Sequence, residues 1–298
     1  MKIKGHDNAL CYLKKYNLIA NGGDKLIELY NTELELVCSY NLLEEKVFYI
    51  YELMNGRILA VEYNNNVKIL EIKNNKIELY KKIETKESKN FVGIEISNKK
   101  IICGGENYLS IIEPSLLTKY TLKYSIPMYG YITNIVDLDS SFFLVGDFYN
   151  RRITIFSSKN YEKIYEINNI SFTGNNYSIS KISNDLVAIA GEDFSKGCLF
   201  FFSIEKKLIL KKFYVDDITS CRVVINTINN NLVTLGNSNK NTKDLILLNM
   251  EKKSEDIIIK KLHHIKDVYP GIIESLISFD NYFLSNDSLE NLKKWEIK

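Results

Sequence analysis

Three acidic residues recur at the same place in successive apolar segments. Glu52, Glu95 and Asp137 each stand seven residues before an aliphatic residue of the next segment, and Lys181 falls close to the equivalent place further on. Paired carboxylates can exchange protons in a hydrolytic reaction or hold a cation through their oxygens. Partly buried acids can instead pair with Lys181, hydroxyl groups or backbone amides. No complete catalytic set accompanies them, so we expect the structural role and keep a hydrolase or cation site as the alternative.

The histidines indicate no second reaction centre. The chain has three, and two of them, His263 and His264, are adjacent, so they cannot easily reach one metal ion from a strand. We place this pair in an exposed loop. His6 has no paired nucleophile to activate, and the sequence contains neither a G-x-x-x-x-G-K-[ST] phosphate loop nor a nucleophile elbow. The sequence therefore predicts no catalytic residue, no cofactor and no metal.

The segments that carry these residues recur with a regular period. Seven times a short apolar strand runs into a small-residue turn, and a second apolar strand follows. The equivalent positions, 40 to 49 residues apart, are Asn21, Val61, Gly104, Gly146, Gly191, Gly236 and Ser285. This period, with four strands in each unit, is the signature of a β-propeller. We therefore predict an all-β fold, a single seven-bladed β-propeller domain over residues 1–298.

The second repeat shows the four strands, which we label a to d in every repeat. Runs of β-branched and aromatic residues bounded by Asn, Gly, Asp or Ser are typical of strands. Such runs predict strands at 47–53, 57–62, 67–72 and 77–83. The ends of the chain predict how the ring closes. Residues 291–297 fit strand c of the seventh blade, and residues 1–5 can pair with that blade as its strand d, which removes two unpaired sheet edges.

The first repeat resembles a WD40 repeat over its whole length. A Gly-His pair at 5–6 opens it, residues 18–24 form the strand b and turn signature, and residues 26–31 replace the usual I-x-I-W-D. The resemblance implies that His6, Asp24 and Tyr30 tie the blade together through hydrogen bonds.

The last repeat resembles the same pattern at Asp287 and at the Trp295-Glu296 pair, which includes the one tryptophan of the chain. In the repeats between, Asp147 and Asp193 retain the turn aspartate, whereas the GH and WD pairs are gone. The resemblance to divergent WD40 proteins implies a non-catalytic interaction platform, although a fold does not fix a function.

Large aromatic side chains and two of the four arginines concentrate in the connections of one rim. In a propeller the d-to-a and b-to-c connections emerge on the same face, and Tyr and Arg are enriched at interface hot spots. The rim residues are Tyr108, Met128, Tyr129, Tyr131, Phe148, Tyr149, Arg151, Arg152, Phe172, Tyr177, Phe194 and Tyr269. Those that we predict to bind a partner are Tyr129, Asp147, Phe148, Tyr149, Arg151, Arg152, Asp193 and Phe194.

Composition narrows the classes of partner. The chain has 39 basic and 37 acidic residues, and this near balance argues against nucleic acid as a partner. Five widely spaced cysteines without a C-x-x-C pair are typical of buried, reduced thiols. Without a signal-like or membrane-spanning run, we expect no membrane partner and a cytoplasmic protein, with the nucleus left open. The sequence therefore predicts a scaffold that binds a protein or a peptide motif, as a subunit of a larger complex.

Overall fold

The computed structural model describes most of the 298-residue chain. The described residues are 9–41, 44–86, 89–116, 119–147, 150–168, 178–226, 231–238, 243–253, 256–269, 273–279, 282–287 and 292–296. Within these ranges every regular element is a β-strand, which confirms the predicted all-β class. The strand that we predict from residues 1–5 lies outside the described residues, as do His6, Phe148 and Tyr149.

The first two repeats each form a four-stranded antiparallel sheet in chain order. The first sheet contains β1 (Leu10–Leu13), β2 (Leu18–Gly22), β3 (Ile27–Tyr30) and β4 (Leu36–Tyr40). The second contains β5 (Val47–Glu52), β6 (Ile58–Glu62), β7 (Asn66–Lys73) and β8 (Lys76–Glu84). The four strands predicted for the second repeat are therefore confirmed, with ends that differ by one residue.

The third and fourth repeats share one sheet of six strands, in the order β14-β13-β12-β11-β10-β9. Its strands are β9 (Asn90–Glu95), β10 (Ile101–Ser115), β11 (Lys119–Asp137), β12 (Phe142–Asp147), β13 (Arg152–Ser157) and β14 (Lys163–Ile167). The two longest strands join the repeats because β11 stays extended where a loop was expected. Its first half pairs with β10 and its second half with β12.

The last three repeats form separate sheets. The fifth repeat contains β15 (Ile179–Lys181), β16 (Leu186–Asp193), β17 (Lys196–Ser203) and β18 (Leu208–Tyr214). The sixth contains β19 (Ile218–Asn226), β20 (Asn231–Ser238), β21 (Lys243–Lys253) and β22 (Asp256–Tyr269). The seventh contains β23 (Ile273–Phe279), β24 (Tyr282–Asp287) and β25 (Leu292–Glu296). Six sheets result, so the prediction of seven separate blades is wrong: the fusion through β10 and β11 removes one boundary.

The sheets close into a ring around their first strands. The strands β1, β5, β9, β11, β15, β19 and β23 lie side by side in this order, and β23 lies against β1. Each sheet therefore has neighbours on both faces, and its middle strands are buried on both faces. In β17, Leu199 and Phe201 pack toward the sixth repeat, whereas Phe200 and Phe202 pack toward the fourth. Burial on both faces explains why the b and c strands are nearly continuous apolar runs.

The cysteines belong to this core. All five are free; Cys103, Cys198 and Cys221 are buried, and Cys11 and Cys38 are half-buried. Burial raises the pKa of the Cys221 thiol to about 12, although a hydrogen bond to Thr234 opposes the shift. Buried thiols of high pKa are unreactive. The prediction of buried, free thiols is confirmed for Cys103, Cys198 and Cys221, whereas Cys11 and Cys38 are only half-buried. Among the described residues no helix is long and apolar enough to cross a membrane.

Candidate binding face

The b-to-c and d-to-a connections lie at one end of the sheets, as the strand pairing shows. Val47 at the start of β5 is opposite Glu62 at the end of β6. Likewise, Ile132 of β11 is opposite Asp147 at the end of β12. Both kinds of connection therefore emerge on the same side of the ring. We call this side the binding face, and it carries the predicted partner-binding residues.

Tyr129 projects from the binding face between the third and fourth repeats. Its side chain is 81% exposed, and its backbone is left-handed, with φ of 52°. Two side chains of the next turn hold the backbone here. The Asn150 amide donates to the Tyr129 carbonyl oxygen at 2.5 Å, and the Arg152 guanidinium donates to the Met128 carbonyl oxygen at 2.6 Å. Tyr129 is therefore fixed outward rather than loosely exposed.

Asp147 and Arg152 support this arrangement from beneath. The buried Asp147 carboxylate accepts hydrogen bonds from Arg152 Nη2 at 2.7 Å and from Asn150 Nδ2 at 2.8 Å. A Cβ atom at Gly130 would lie 2.3 Å from Asp147 Oδ2, so only glycine permits this approach. Asp147 and Arg152 thus bond to each other and to the backbone that carries Tyr129. These hydrogen bonds of Asp147 and Arg152 are all made within the chain.

Phe194 is the second exposed aromatic side chain on the binding face. It occupies a two-residue hairpin turn between Asp193 and Lys196, with φ of 49° at Phe194 and 61° at Ser195. Turns with two left-handed residues favour Asn and Gly, and a bulky residue there is an outlier. The Phe194 side chain is nonetheless 90% exposed. Strained residues of this kind cluster at functional sites.

Asp193, directly before Phe194, is buried and internally bonded. Its Oδ2 atom accepts hydrogen bonds from Lys212 Nζ at 2.9 Å and from the Tyr214 hydroxyl at 2.6 Å, both on β18. The hydrogen bond with Asp193 is the main reason why the pKa of the Lys212 ammonium is raised. Asp193 therefore anchors the Phe194 turn to its own sheet in the way that Asp147 anchors the neighbouring turn.

The other predicted rim residues differ from one another in exposure to solvent. Arg151 is exposed, with φ of 50°, at the turn between β12 and β13. Met128 is buried, whereas Tyr108 and Tyr131 are half-buried. Predictions for Phe148, Tyr149, Phe172 and Tyr177 lie outside the described residues, and the Tyr269 side chain is not described.

The recurrent acids of the first strands tie each repeat to the one before it. The Glu52 carboxylate accepts hydrogen bonds from the backbone N–H groups of Lys14 and Lys15, at 2.7 and 3.0 Å. In the same way the Glu95 carboxylate accepts a hydrogen bond from the Met54 N–H. In both cases the donor lies in the a-to-b turn of the preceding repeat.

In the next two repeats the equivalent side chains also make hydrogen bonds to the preceding repeat, but other chemical groups take part. The Ser97 hydroxyl donates to Asp137 at 2.5 Å, and the Lys181 ammonium donates to the Leu138 carbonyl oxygen. Each side chain again reaches the turn of the preceding repeat. The described residues contain no group of three or more His, Cys, Asp or Glu that could hold a metal ion. The observed contacts of these side chains are structural.

The residues of the predicted WD40-type tie are only partly described. His6 is outside the described residues. Asp24 is exposed, and the buried Tyr30 hydroxyl donates to Glu28 Oε2 at 2.8 Å. The tie through His6 and Asp24 stays a prediction.

A buried acid bonded to a base recurs near the binding face in four repeats, and the sequence analysis missed the pairing. The pairs are Glu62 with Lys68 at 3.0 Å, Asp147 with Arg152 at 2.7 Å, Asp193 with Lys212 at 2.9 Å and Asp244 with His264 at 2.8 Å. The predicted exposed loop for His263 and His264 is wrong, because both lie in β22 and His264 reaches Asp244 on the adjacent strand. An acidic residue at the end of strand b, at Glu62, Asp147 and Asp193, was the available sequence signal, whereas Asp244 lies at the start of strand c.

An aromatic cluster on the same face was also missed. The cluster runs from the second repeat to the fourth, with neighbouring ring centroids between 4.7 and 6.1 Å apart, and consists of Phe48, Tyr63, Phe91 and Tyr131. The Phe48 and Tyr63 rings are stacked, and the other contacts are tilted or edge-on. The sequence carried one signal, because Lys46-Val47-Phe48 and Lys89-Asn90-Phe91 repeat the pattern Lys-x-Phe at the repeat period.

Comparison with known proteins identifies the fold. No family model matches the chain, and no curated protein matches it by sequence. Among solved structures, the WD40 β-propeller domain of Doa1 is similar, with a TM-score of 0.63 and 13% identity over 83% of this chain and 79% of that one. A chain from the mitotic checkpoint complex is similar with a TM-score of 0.80 and 12% identity, over 99% of this chain and 90% of that one. At this identity the likeness concerns the fold, and the chain folds as a β-propeller of the WD40 type.

Proposed function

We propose that the protein is a non-catalytic scaffold that binds a protein partner through the binding face, as a subunit of a larger complex. The observation that carries this proposal is the pair of exposed aromatic side chains, Tyr129 and Phe194, both held in left-handed backbone conformations. Such positions cost folding free energy and leave large apolar area in water. Burial of both side chains at an interface with a partner would offset the backbone strain and remove the apolar area from water.

The neighbouring residues support the same proposal. Arg151, which lies between Tyr129 and Phe194 in the sequence, adds an exposed side chain with a guanidinium group. Arg and Tyr are enriched among the interface residues that contribute most of the binding free energy. Asp147 and Asp193 fix the turns from beneath, so little order would be lost when a partner binds. One structurally similar chain comes from a multi-protein complex, in keeping with a role within an assembly.

Affinity purification from the native cells tests the proposal. A tagged chain with Tyr129→Ser, Arg151→Ser and Phe194→Asn is compared with the wild type by quantitative mass spectrometry. A control variant carries Leu79→Ser and Lys123→Ser, which alter exposed residues on β8 and on the first half of β11, the outer strands of the second and third repeats. We expect a stoichiometric protein that is retained by the control and lost from the triple variant. A partner retained equally by all three chains would disprove the use of this face.

A further inference from the structure

The aromatic cluster between the second and fourth repeats has the features of a separate binding site. The Phe48 and Tyr63 rings stack at 4.7 Å with an interplanar angle of 19°. Phe91 lies 5.9 Å from Phe48 and 5.7 Å from Tyr131, so one aromatic layer crosses two repeat boundaries. Tyr63 is 36% exposed, and the other three rings are half-buried. The layer therefore presents a continuous aromatic surface rather than a closed core.

Two β-bulges place the phenylalanines in this layer. Val47 pairs with Glu62 and Tyr49 with Val61, which leaves Phe48 as the extra residue. In the next repeat Asn90 pairs with Gly105 and Val92 with Gly104, which leaves Phe91 as the extra residue in the same position. A bulge re-aims a side chain away from the regular alternation. The same bulge recurs in the first strands of the fourth, sixth and seventh repeats, so it places the two rings but does not by itself mark a site.

Lysines surround the aromatic layer. The Lys46 ammonium lies 5.5 Å from the Phe48 ring centroid, and the Lys89 ammonium lies 4.9 Å from the Tyr63 ring centroid. A hydrogen bond to the Tyr63 hydroxyl is the main cause of the raised pKa of Lys89, which keeps it charged. Nearby, the exposed Lys86 ammonium lies 4.7 Å from the Tyr108 ring centroid. We use the name aromatic–lysine surface for the four rings of the cluster and these three lysines, namely Phe48, Tyr63, Phe91, Tyr131, Lys46, Lys86 and Lys89.

The nearby carboxylates are engaged within the fold. Glu62 is fully buried and pairs with the buried Lys68 at 3.0 Å, and Glu106 accepts a hydrogen bond from the Tyr131 hydroxyl at 3.2 Å. The half-exposed Glu44 side chain pairs with Lys82 at 2.8 Å, whereas the Lys46 and Lys89 ammonium groups lie over the Phe48 and Tyr63 rings. This arrangement is complementary to a ligand that brings both apolar groups and negative charge.

We propose that the aromatic–lysine surface binds an acidic protein segment in which Asp or Glu alternates with Phe or Leu. The apolar side chains would cover the rings, and the carboxylates would pair with the lysines. The net charge of +2 over the chain favours a peptide over a nucleic acid, which normally meets a strongly basic face. The inference rests on the proposed function in that both concern protein binding, although it uses a different set of residues.

Fluorescence anisotropy with the full chain tests this inference. The probes are fluorescein-labelled synthetic peptides in which Glu alternates with Phe, Glu with Gly, or Lys with Phe, and a labelled single-stranded oligonucleotide. We expect binding of the Glu-Phe peptide alone. Lys86→Glu with Lys89→Glu should weaken it by about tenfold or more, and Phe91→Ala should do the same, whereas the control Lys123→Glu should not.

The outcomes separate this inference from the proposed function. Thermal unfolding of each variant shows whether the fold is retained, and Lys89→Gln provides a milder change if Phe91→Ala does not fold. Absence of Glu-Phe binding, equal binding by the charge-reversed variant, or preference for the oligonucleotide would each overturn the inference. Loss of Glu-Phe binding in the Tyr129, Arg151 and Phe194 variant would also overturn it, because the site would then be the one already proposed. A cellular partner lost only from that variant would leave the proposed function intact.

Discussion

The Glu95 carboxylate of the third repeat accepts a hydrogen bond from the backbone N–H of Met54 in the second repeat. Glu95 is only 3% exposed, so the bond is shielded from water at the boundary between two sheets. The equivalent side chains Glu52 and Asp137 reach back one repeat in the same way. These side chains, for which we expected a structural role and kept a hydrolase or cation site as the alternative, thus form a series of ties between neighbouring repeats.

Removal of this tie should destabilise the ring. Glu95→Ala removes the hydrogen bond that the Met54 N–H donates to a buried carboxylate, and we expect a loss of about 2 kcal/mol in the free energy of unfolding. Urea denaturation followed by circular dichroism measures the change. The matched control, Glu78→Ala, removes an exposed carboxylate from β8 and should change the value by less than about 0.5 kcal/mol. Equal effects of the two substitutions would contradict the structural role of Glu95.

The same carboxyl group predicts a specific dependence on pH. Burial raises the pKa of Glu95, although the hydrogen bond from Met54 opposes the shift. The folded state therefore binds the proton more tightly than the unfolded state. The stabilisation that results is fully present below the pKa of the unfolded chain, and it is lost as the pH rises through the folded pKa.

Glu95→Gln tests the direction of this pH dependence, because glutamine is neutral at every pH. We expect the free energy of unfolding of the wild type, relative to this variant, to fall as the pH is raised from about 4, near the ordinary pKa of a glutamate, to about 7. Paired urea titrations at the two pH values measure the difference. A wild type that gains stability over the variant across this interval would show that the folded pKa of Glu95 is lowered instead.

The sequence predicted the strands well, because their burial leaves a direct record in the residue pattern. Apolar runs such as the one around Phe200 and Phe201 arise because each sheet is covered on both faces. The number of sheets could not be predicted in this way. It depends on β11 continuing as one strand across the irregularity at Met128, Tyr129 and Gly130, where Tyr129 is left-handed, and strand spacing does not encode that choice.

The candidate site was predictable by position but not by role. The sequence placed Tyr129 and Phe194 in connections at one end of the sheets, where the structure also has them, because connections follow from the strand order. It did not show that Asp193 is buried with Lys212, since that pairing spans β16 to β18 and depends on three-dimensional distance. It also missed Phe48, because a bulge breaks the alternation by which exposed strand residues are recognised.

The Asp147–Arg152 pair should show strong energetic coupling. Asp147→Ala leaves a mostly buried guanidinium with only the more distant Glu166 carboxylate, at 3.6 Å, as an ion-pair partner, and Arg152→Leu leaves a buried carboxylate without its base. We expect each to cost about 3 kcal/mol, and the double variant to cost clearly less than the sum of the two. A double-mutant cycle by urea denaturation measures the coupling.

An exposed ion pair provides the matched control for this cycle. Lys211 and Asp256 lie 3.3 Å apart with side chains 33% and 72% exposed, so their coupling should stay below about 1 kcal/mol. If the Asp147–Arg152 cycle gave a coupling no larger than this control, the pair would not hold the Tyr129 backbone as the geometry indicates.

Phe194 allows stability and binding to be separated at a single position. Its left-handed backbone disfavours phenylalanine and favours asparagine, and its side chain is 90% exposed, so little packing is lost on substitution. We expect Phe194→Asn to leave the free energy of unfolding unchanged or raise it by up to about 1 kcal/mol, while capture of the cellular partner falls.

Phe194→Val is the matched control: it removes the ring but retains a residue that is poorly suited to this backbone, so it should lower both stability and capture. Unfolding titrations and quantitative capture on the same preparations measure both effects. A lower stability for Phe194→Asn than for the wild type would mean that the ring packs onto the fold, and unchanged capture by both variants would mean that Phe194 does not contact the partner.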